Sequence, residues 1–306
     1  MKLLWTFLAT ALCANAALQD GFNAQQAFAY TAKVVGFGER WPGSPGHKKT
    51  EDLIHQVLQK DGAQIEADDF TAPKTPKGPI EVHNIVGKFN VTGDPRQKIF
   101  ILAGHYDTLF KPAGFLGAND GGSSTAILLA FADALAGQKT KMQIWLVWTD
   151  FEEAVNSFFD ANDGGLYGSK HLAQELKANG TVPRVKGFFL LDMIGDKDLS
   201  VARETNSARW LQDYIYQAAA QLGYSQYFFK YEESIIDDQQ SFLDVGIPSV
   251  DVVDAMYGRM GRGFDNMGEF HHAVTDTMDK VSVHSFEVVG KTILRTVEMI
   301  DSQTAP

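Results

Sequence analysis

Histidine and carboxylate side chains follow the short apolar runs of this sequence, at the point where each run ends. Runs of this length, rich in branched and aromatic residues, are typical of buried strands. The polar residues after them are His105 after run 99–103, Glu152 and Glu153 after run 144–148, Asp192 after run 188–191, and His271 and His272 in the loop after run 249–253. Asp120 lies in the glycine-rich segment 117–122, directly before a predicted helix. In open α/β sheets, ligand sites form where parallel strands end, so we expect these side chains to meet.

The pair Glu152–Glu153 is the most informative of these features. A single carboxylate after a strand commonly caps a helix or closes a turn, and Asp120 alone could do either. Two adjacent carboxylates at the edge of a core repel each other and lose hydration unless a cation or a proton compensates them. Zinc binds histidine and carboxylate, and a carboxylate left over could act as general acid or base. The spacing therefore predicts a metal-dependent hydrolase or transferase without choosing between them.

The elements that would position these residues alternate between strands and amphipathic helices. Predicted helices cover residues 48–58, 125–135, 168–176, 208–222 and 286–300, and the predicted strands are the apolar runs. Such alternation favours an α/β fold, a three-layer α/β/α sandwich around a mixed, mostly parallel sheet. The sequence has no internal repeat and no linker, so we predict one domain over residues 17–306.

Residues 1–16 have the pattern of an export signal. Lys2 precedes the apolar run 3–12, and Ala14-Asn15-Ala16 supplies small residues for cleavage after Ala16. The run is too short to span a bilayer, and no later stretch reaches that length. We therefore expect an exported protein, located in the periplasm or outside the cell, with no membrane span.

Composition limits the metal ligands and the partners. The single cysteine, Cys13, lies in the predicted signal peptide, so the mature chain would have no thiol ligand and no disulfide. The formal net charge is −11 and the pI is about 5.1. This balance argues against a nucleic-acid partner, which needs a clustered basic surface. Any metal must be held by histidines and carboxylates.

Six segments, in this order, resemble metallopeptidase family 28, the zinc aminopeptidases whose fold is shared by glutaminyl cyclases. The resemblance runs from about residue 43 to about residue 285. The segments are Gly-His-Tyr-Asp (104–107), Gly-Ala-Asn-Asp-Gly (117–121), Glu-Glu-Ala (152–154), Leu-Tyr-Gly-Ser-Lys-His-Leu (166–172), Leu-Asp-Met-Ile-Gly (191–195) and His-Ala-Val-Thr-Asp-Thr (272–277).

The resemblance implies a ligand set and a catalytic carboxylate. It implies that Asp120, Glu153 and His272 bind the main zinc ion and that Glu152 is the general acid and base. In the peptidases, the residues that match His105 and Asp192 hold a second zinc ion, and the residue that matches Asp120 bridges the two. The expected cofactor is thus one zinc ion for a cyclase and two for an aminopeptidase.

Three segments are closer to the cyclases than to the peptidases. They are Gly-Ser-Pro-Gly (43–46) with the later 75–78 and 84–85, the run 163–172, and the pair Asp237-Asp238, where peptidases usually have a single aspartate. This resemblance implies that Asp192 and Asp237 share protons with Glu152 as further catalytic residues. Cyclases have tryptophan where this chain has Phe158 and His271, and histidine where it has Gln239. We therefore expect Phe158, Asp238 and His271 to line a substrate pocket that differs from theirs.

The predicted reaction converts an N-terminal glutamine of a peptide to pyroglutamate and releases ammonia. The alternative is a di-zinc aminopeptidase, because every ligand for two zinc ions is present. A non-enzymatic binding domain on the same fold is disfavoured, because Glu152 and Asp120 are both kept. The expected partner is the N-terminus of a peptide or protein, and we expect a monomer.

Overall fold

A computed structural model describes residues 17–156, 163–260 and 267–304. The strands in these residues are β1 (Gln64–Ala72), β2 (Ile80–Phe89), β3 (Ile99–His105), β4 (Gln143–Thr149), β5 (Val185–Asp192), β6 (Val201–Glu204), β7 (Phe228–Glu233) and β8 (Ser249–Val253). The α-helices in them are α1 (Ala24–Val35), α2 (Pro45–Lys60), α3 (Gly122–Leu135), α4 (Tyr167–Ala178), α5 (Arg209–Leu222), α6 (Asp238–Asp244) and α7 (Val283–Gln303).

The central sheet is mixed and mostly parallel. In the described part of the chain it has six strands in the order β1-β2-β4-β3-β5-β8. Strands β4, β3, β5 and β8 are parallel to one another, whereas β1 and β2 form an antiparallel edge. Strands β6 and β7 form a separate parallel pair. The carboxyl ends of four parallel strands therefore meet at one edge of the sheet.

Helices cover both faces of this sheet, which confirms the predicted three-layer sandwich. Successive residues of β3 point to opposite faces, and they join different apolar clusters. Phe100 and Leu102 pack in the cluster that contains residues of α1, α2, α3, α5 and α7. Ile101 and Ala103 pack in the second cluster, with residues of α4 and α6. All residues of β3 and β4 are buried, as expected for parallel strands covered on both sides.

Close contact between β3 and α3 depends on Gly104, the residue before His105. A Cβ atom at this position would lie 2.6 Å from the Cβ of Ser124 and 3.0 Å from the carbonyl oxygen of Leu191. The hydroxyl of Ser124 donates to the carbonyl oxygen of His105 at 3.0 Å. The absent side chain thus lets α3, and the loop before it, lie directly beside the end of β3.

Several elements are present that the sequence patterns did not indicate. They are α1, α6 and the strands β1, β2, β6 and β7. Strand β1 is an exposed edge strand with acidic residues such as Glu66 and Asp68, a composition that discourages edge-to-edge pairing. Within residues 17–156, 163–260 and 267–304, no helix combines the length and hydropathy that a bilayer crossing requires. The predicted signal peptide, with Cys13, lies outside the described residues.

Candidate active site

The predicted site residues meet at the carboxyl edge of the parallel strands. His105 and Asp192 are the last residues of β3 and β5, and Glu152 and Glu153 lie in the turn that follows β4. Asp120 comes from the loop before α3. All five residues are at most 9% exposed. The strand order places these residues side by side, although 87 positions separate His105 from Asp192 in the chain.

Asp120 lies between the two groups of potential ligands. Its Oδ1 atom is 3.2 Å from Nε2 of His105, which is itself 3.2 Å from Oδ1 of Asp192. Its Oδ2 atom is 3.7 Å from Nε2 of His272, which is 3.4 Å from Oε2 of Glu153. Each oxygen of Asp120 therefore faces a different histidine and a different second carboxylate.

These residues fit a zinc ion. Ligand atoms ~2.1 Å from a tetrahedral zinc ion lie ~3.4 Å apart, which is the spacing around His272 and around His105. Oδ2 of Asp120 and both carboxylate oxygens of Glu153 are buried without a hydrogen-bond partner. Buried polar atoms are rarely left in this state, so a group of them implies a ligand. The set of imidazole nitrogens and carboxylate oxygens is also one that zinc prefers.

The electrostatics of these residues also favour a cation. Burial, and then the charge of Asp120, raises the pKa of Glu153 well above its usual value. Burial would lower the pKa of His105, but hydrogen bonds with Asp107, Asp120 and Asp192 outweigh it, and this pKa is raised well above its usual value. Without a cation, the site must bind protons to offset its crowded negative charge.

A second group of carboxyls can exchange protons with the reacting atoms. Burial is the largest cause that raises the pKa of Glu152 well above its usual value, and the charge of Asp237 is the next. Burial also raises the pKa of Asp237, followed by the charges of Asp192 and Asp238. A general acid or base works best when its pKa is near the operating pH. Raised pKa values move both carboxyls from their usual acidic range toward neutrality.

The backbone adopts an unusual conformation beside these side chains. Phe151, Met193 and His272 all have positive φ angles, of 53°, 47° and 54°. The first precedes Glu152, the second follows Asp192, and the third is itself a predicted ligand. Non-glycine residues rarely adopt this conformation and it costs ~1–3 kcal/mol, so it persists where the surrounding structure fixes it. Here it occurs at one predicted site residue and directly beside two others.

Asp107 positions the two glutamates, a role that the sequence analysis did not assign. The amide N–H of Glu152 donates to Oδ1 of Asp107 at 3.1 Å, and the amide N–H of Glu153 donates to Oδ2 at 3.2 Å. The Oδ1 atom also lies 3.4 Å from Nδ1 of His105. Asp107 is fully buried. One carboxylate thus orients residues from β3 and from the turn after β4.

Asp276 positions Asp120 in a similar way. Its carboxylate accepts the amide N–H groups of Asn119 at 2.9 Å and Asp120 at 3.1 Å, and the hydroxyl of Tyr257 at 2.5 Å. Burial, and then the charge of Asp120, raises the pKa of Asp276 to about 7. Asp276 thereby joins the loop that contains Asp120 to the segment that contains His272.

Arg40 forms hydrogen bonds with the backbone of the loop before Asp120. Its guanidinium is fully buried and donates to the carbonyl oxygens of Tyr106, Leu116 and Gly117 at 3.1, 2.6 and 2.9 Å. Burial lowers the pKa of Arg40 to about 10, although nearby carboxylates oppose the shift. Neither Arg40 nor Asp276 was predicted as a site residue, because their partners are backbone groups far away in the sequence.

A cavity of about 1020 Å³ opens above the predicted zinc ligands. Its polar floor includes Asp120, Glu152, Asp192, Asp237, His271 and His272. Its walls are largely apolar and include Leu109, Pro112, Ala113, Leu166, Ile235, Ile236, Ala255 and Met267. The cavity is therefore large enough for more than one amino-acid side chain, with the titratable groups at its base.

The three predicted pocket residues have different outcomes. His271 lines the cavity. Asp238 does not: it is fully buried, and its Oδ2 atom accepts the hydroxyl of Thr149 at 2.6 Å. As the first residue of α6, it lies behind Asp237, the cap of that helix. Phe158 lies outside the described residues.

Similarity to known proteins agrees with this geometry. The family model described as peptidase family M28 matches residues 84–297. The chain is 26% identical to the glutaminyl-peptide cyclotransferase of Drosophila melanogaster over 263 residues, 77% of this chain and 73% of that protein. It is 36% identical to the structure of a glutaminyl cyclase from an Acidobacteriales bacterium, with a TM-score of 0.86 over 98% of this chain and 100% of that one.

A zinc-dependent exopeptidase is also similar. The structure from Parabacteroides distasonis ATCC 8503 has a TM-score of 0.77 at 27% identity and covers 92% of this chain and 99% of that one. Cyclases and an exopeptidase thus share the fold, and the family model spans most of the sequence. The chain belongs to peptidase family M28.

Proposed function

We propose that this protein is a zinc-dependent glutaminyl-peptide cyclotransferase. The observation that carries the proposal is the similarity to a bacterial glutaminyl cyclase, which extends over 98% of this chain at 36% identity. The buried carboxyls Glu152 and Asp237, which line the same cavity, would provide the proton-transfer groups that this reaction needs.

Asp120, Glu153 and His272 would hold the zinc ion. When bound, zinc would polarise the γ-carboxamide of the substrate and make its carbon more electrophilic. The cavity walls would hold the peptide so that its α-amine lies near this carbon. Because nucleophile and electrophile belong to one molecule, their proximity supplies much of the acceleration.

Glu152 would transfer the proton. The α-amine nitrogen forms a bond to the γ-carboxamide carbon, and Glu152 accepts a proton from that nitrogen. The carbon–nitrogen bond to the departing amide nitrogen then breaks, and Glu152 returns the proton to it, so that ammonia and the five-membered lactam form. Asp192 and Asp237 would share protons with Glu152 and orient the leaving nitrogen.

A di-zinc aminopeptidase is the second candidate, and one specific observation favours it. The two oxygens of Asp120 face different histidines, at 3.2 Å from Nε2 of His105 and 3.7 Å from Nε2 of His272. A carboxylate in this orientation could bridge two metal ions, with Asp192 as a further ligand. In that reaction Glu152 would accept a proton from water, which attacks the first peptide bond.

Two assays on one preparation separate these reactions. Ammonia release from a glutaminyl dipeptide and chromophore release from aminoacyl anilides would be measured together with the zinc content per chain. We expect ammonia release with one zinc ion per chain and no anilide hydrolysis. Glu152→Gln should reduce ammonia release by ~10²–10⁴-fold and leave the zinc content unchanged. Glu175→Gln, on the exposed surface of α4, is the matched control.

Anilide hydrolysis with two zinc ions and no ammonia release would overturn the cyclase assignment. Full ammonia release by Glu152→Gln would instead overturn the role of Glu152 and leave the reaction assigned.

We also propose that the protein is exported and that residues 1–16 are removed. The charged Lys2, the apolar run 3–12 and the small residues 14–16 support this. N-terminal sequencing of the protein secreted by its host should begin at Ala17. An intact Met1 on the mature protein would refute the proposal.

A further inference from the structure

Two consecutive histidines lie beside Asp120. The rings of His271 and His272 are stacked, with centroids 3.7 Å apart and planes inclined by 29°. A carboxylate oxygen of Asp120, a ring nitrogen of His271 and a ring nitrogen of His272 all lie within 4.8 Å of one another. His271 is 9% exposed and Asp120 is 3% exposed. Asp120, His271 and His272 thus form a group of side chains near enough to one another to be candidates for holding one ion.

The Asp120 carboxylate supplies an independent indication of a bound cation. Its Oδ2 atom is buried without a hydrogen-bond partner and lies 3.7 Å from Nε2 of His272. The neighbouring oxygens of Glu153 are in the same state. An ion bound by Asp120 and His272 would therefore have His271 beside it as well.

We propose that His271 is a fourth protein ligand of this metal ion when no substrate is bound. Zinc with two imidazoles and two carboxylates is four-coordinate, the number that it adopts most often in proteins. His271 lines the cavity, as do Asp120 and His272, whereas Glu153 is 1% exposed and lies beneath. His271 is thus placed on the side from which a substrate enters. It is the ligand that the substrate carboxamide oxygen would replace.

X-ray absorption spectroscopy of the zinc-loaded protein tests this directly, because it counts imidazoles around the ion. Zinc would be added at half an equivalent per chain, so that one site is filled first. His271→Phe keeps an aromatic ring against His272 and removes both nitrogens. We expect one imidazole fewer per zinc ion in this variant than in the original protein. His284→Gln, a histidine that bonds to Tyr227 at 2.9 Å, is the control and should leave the count unchanged.

Zinc affinity provides a second measurement. Loss of groups that merely orient a ligand costs ~10–100-fold in affinity, so loss of His271 should cost at least ~100-fold by chelator competition. An unchanged imidazole count in His271→Phe, with affinity within about threefold of the original, would overturn the proposal.

The inference depends on the proposed zinc site, but not on the reaction that the site catalyses. If no zinc binds even to the original protein, the zinc site itself is refuted. If His271→Phe loses one imidazole per zinc ion but the original protein releases no ammonia, the ligand assignment stands and the proposed cyclase activity fails.

Discussion

Replacement of Asp107 by asparagine should weaken zinc binding without direct removal of a ligand. The two oxygens of Asp107 each accept one amide N–H, from Glu152 at 3.1 Å and from Glu153 at 3.2 Å. An asparagine side chain has one oxygen and one NH₂ group. Whichever way the amide is oriented, its NH₂ group faces one of these N–H donors, and one glutamate loses its support.

The magnitude follows from the lost hydrogen bond. A buried N–H group without an acceptor costs ~1–3 kcal/mol. Loss of a group that orients a metal ligand reduces metal affinity by ~10–100-fold, which corresponds to ~1.4–2.8 kcal/mol. The two estimates agree in size. The neutral side chain also removes one negative charge from the carboxyl cluster, and this change stabilises the zinc-free protein. The two effects on the free energy of unfolding oppose each other, so zinc affinity is the quantity that tests the role of Asp107.

Chelator competition would measure zinc affinity, and guanidinium unfolding would measure the stability of the zinc-free protein. Asp94→Asn is the matched control, because Asp94 is half-buried and also accepts a backbone N–H, from Arg96 at 2.8 Å. This control should behave like the original protein. Zinc affinity of Asp107→Asn within twofold of the control would show that Asp107 does not position the glutamates.

Three further predictions concern the cavity wall, the buried guanidinium and a carboxyl away from the metal. Ile236 lines the cavity and is 75% exposed. Ile236→Asp should lower kcat/KM for Gln-Phe relative to Gln-Gly peptides by ~3–10-fold, because partial burial of an isoleucine contributes ~1 kcal/mol. An unchanged ratio of the two kcat/KM values would show that the second residue of the peptide binds elsewhere. Arg40→Lys should lower the free energy of unfolding by ~2–4 kcal/mol, because an ammonium cannot reach the carbonyl oxygens of Tyr106, Leu116 and Gly117 together. An unchanged free energy of unfolding in chemical denaturation would contradict this prediction. Burial raises the pKa of Asp254 from 3.8 to about 7, so its protonated form stabilises the fold below pH 3.8 and that contribution is lost as the pH rises through 7. The advantage of the original protein over Asp254→Asn in unfolding free energy should therefore fall by up to ~4 kcal/mol between pH 4 and pH 8.5, and a difference that does not depend on pH would refute the shift.

The elements around the site could be predicted because each has a continuous local pattern. Strands β3, β4 and β5 contain the continuous apolar runs 99–103, 144–148 and 188–191, and α3 and α7 have long apolar faces. Helix α6 has only seven residues, too few for a helical period to be recognised. Strand β1 is exposed over most of its length, so burial imposes no regular alternation on its sequence.

The candidate site likewise contains residues that a local sequence pattern identifies and residues that no local pattern identifies. Glu152 and Glu153 could be predicted from the sequence because they are adjacent and follow an apolar strand. Asp107, Asp276 and Arg40 act on backbone groups that are 45, 156 and 77 positions away along the chain. A side chain that bonds to a distant backbone N–H or carbonyl group leaves no local pattern, so only the folded arrangement reveals its role.

The bond between Asp276 and the backbone of Asp120 has a consequence for the lifetime of the protein. It joins segments 156 positions apart, so the proposed zinc ligands assemble only when these distant parts of the chain have folded together. An unfolded or truncated chain would present separate, weakly binding side chains. Because zinc would bind the native state alone, its concentration would raise the free energy of unfolding by mass action. Where zinc is scarce, the same sequence would unfold more often and be degraded sooner, so metal supply would set how much of the enzyme persists.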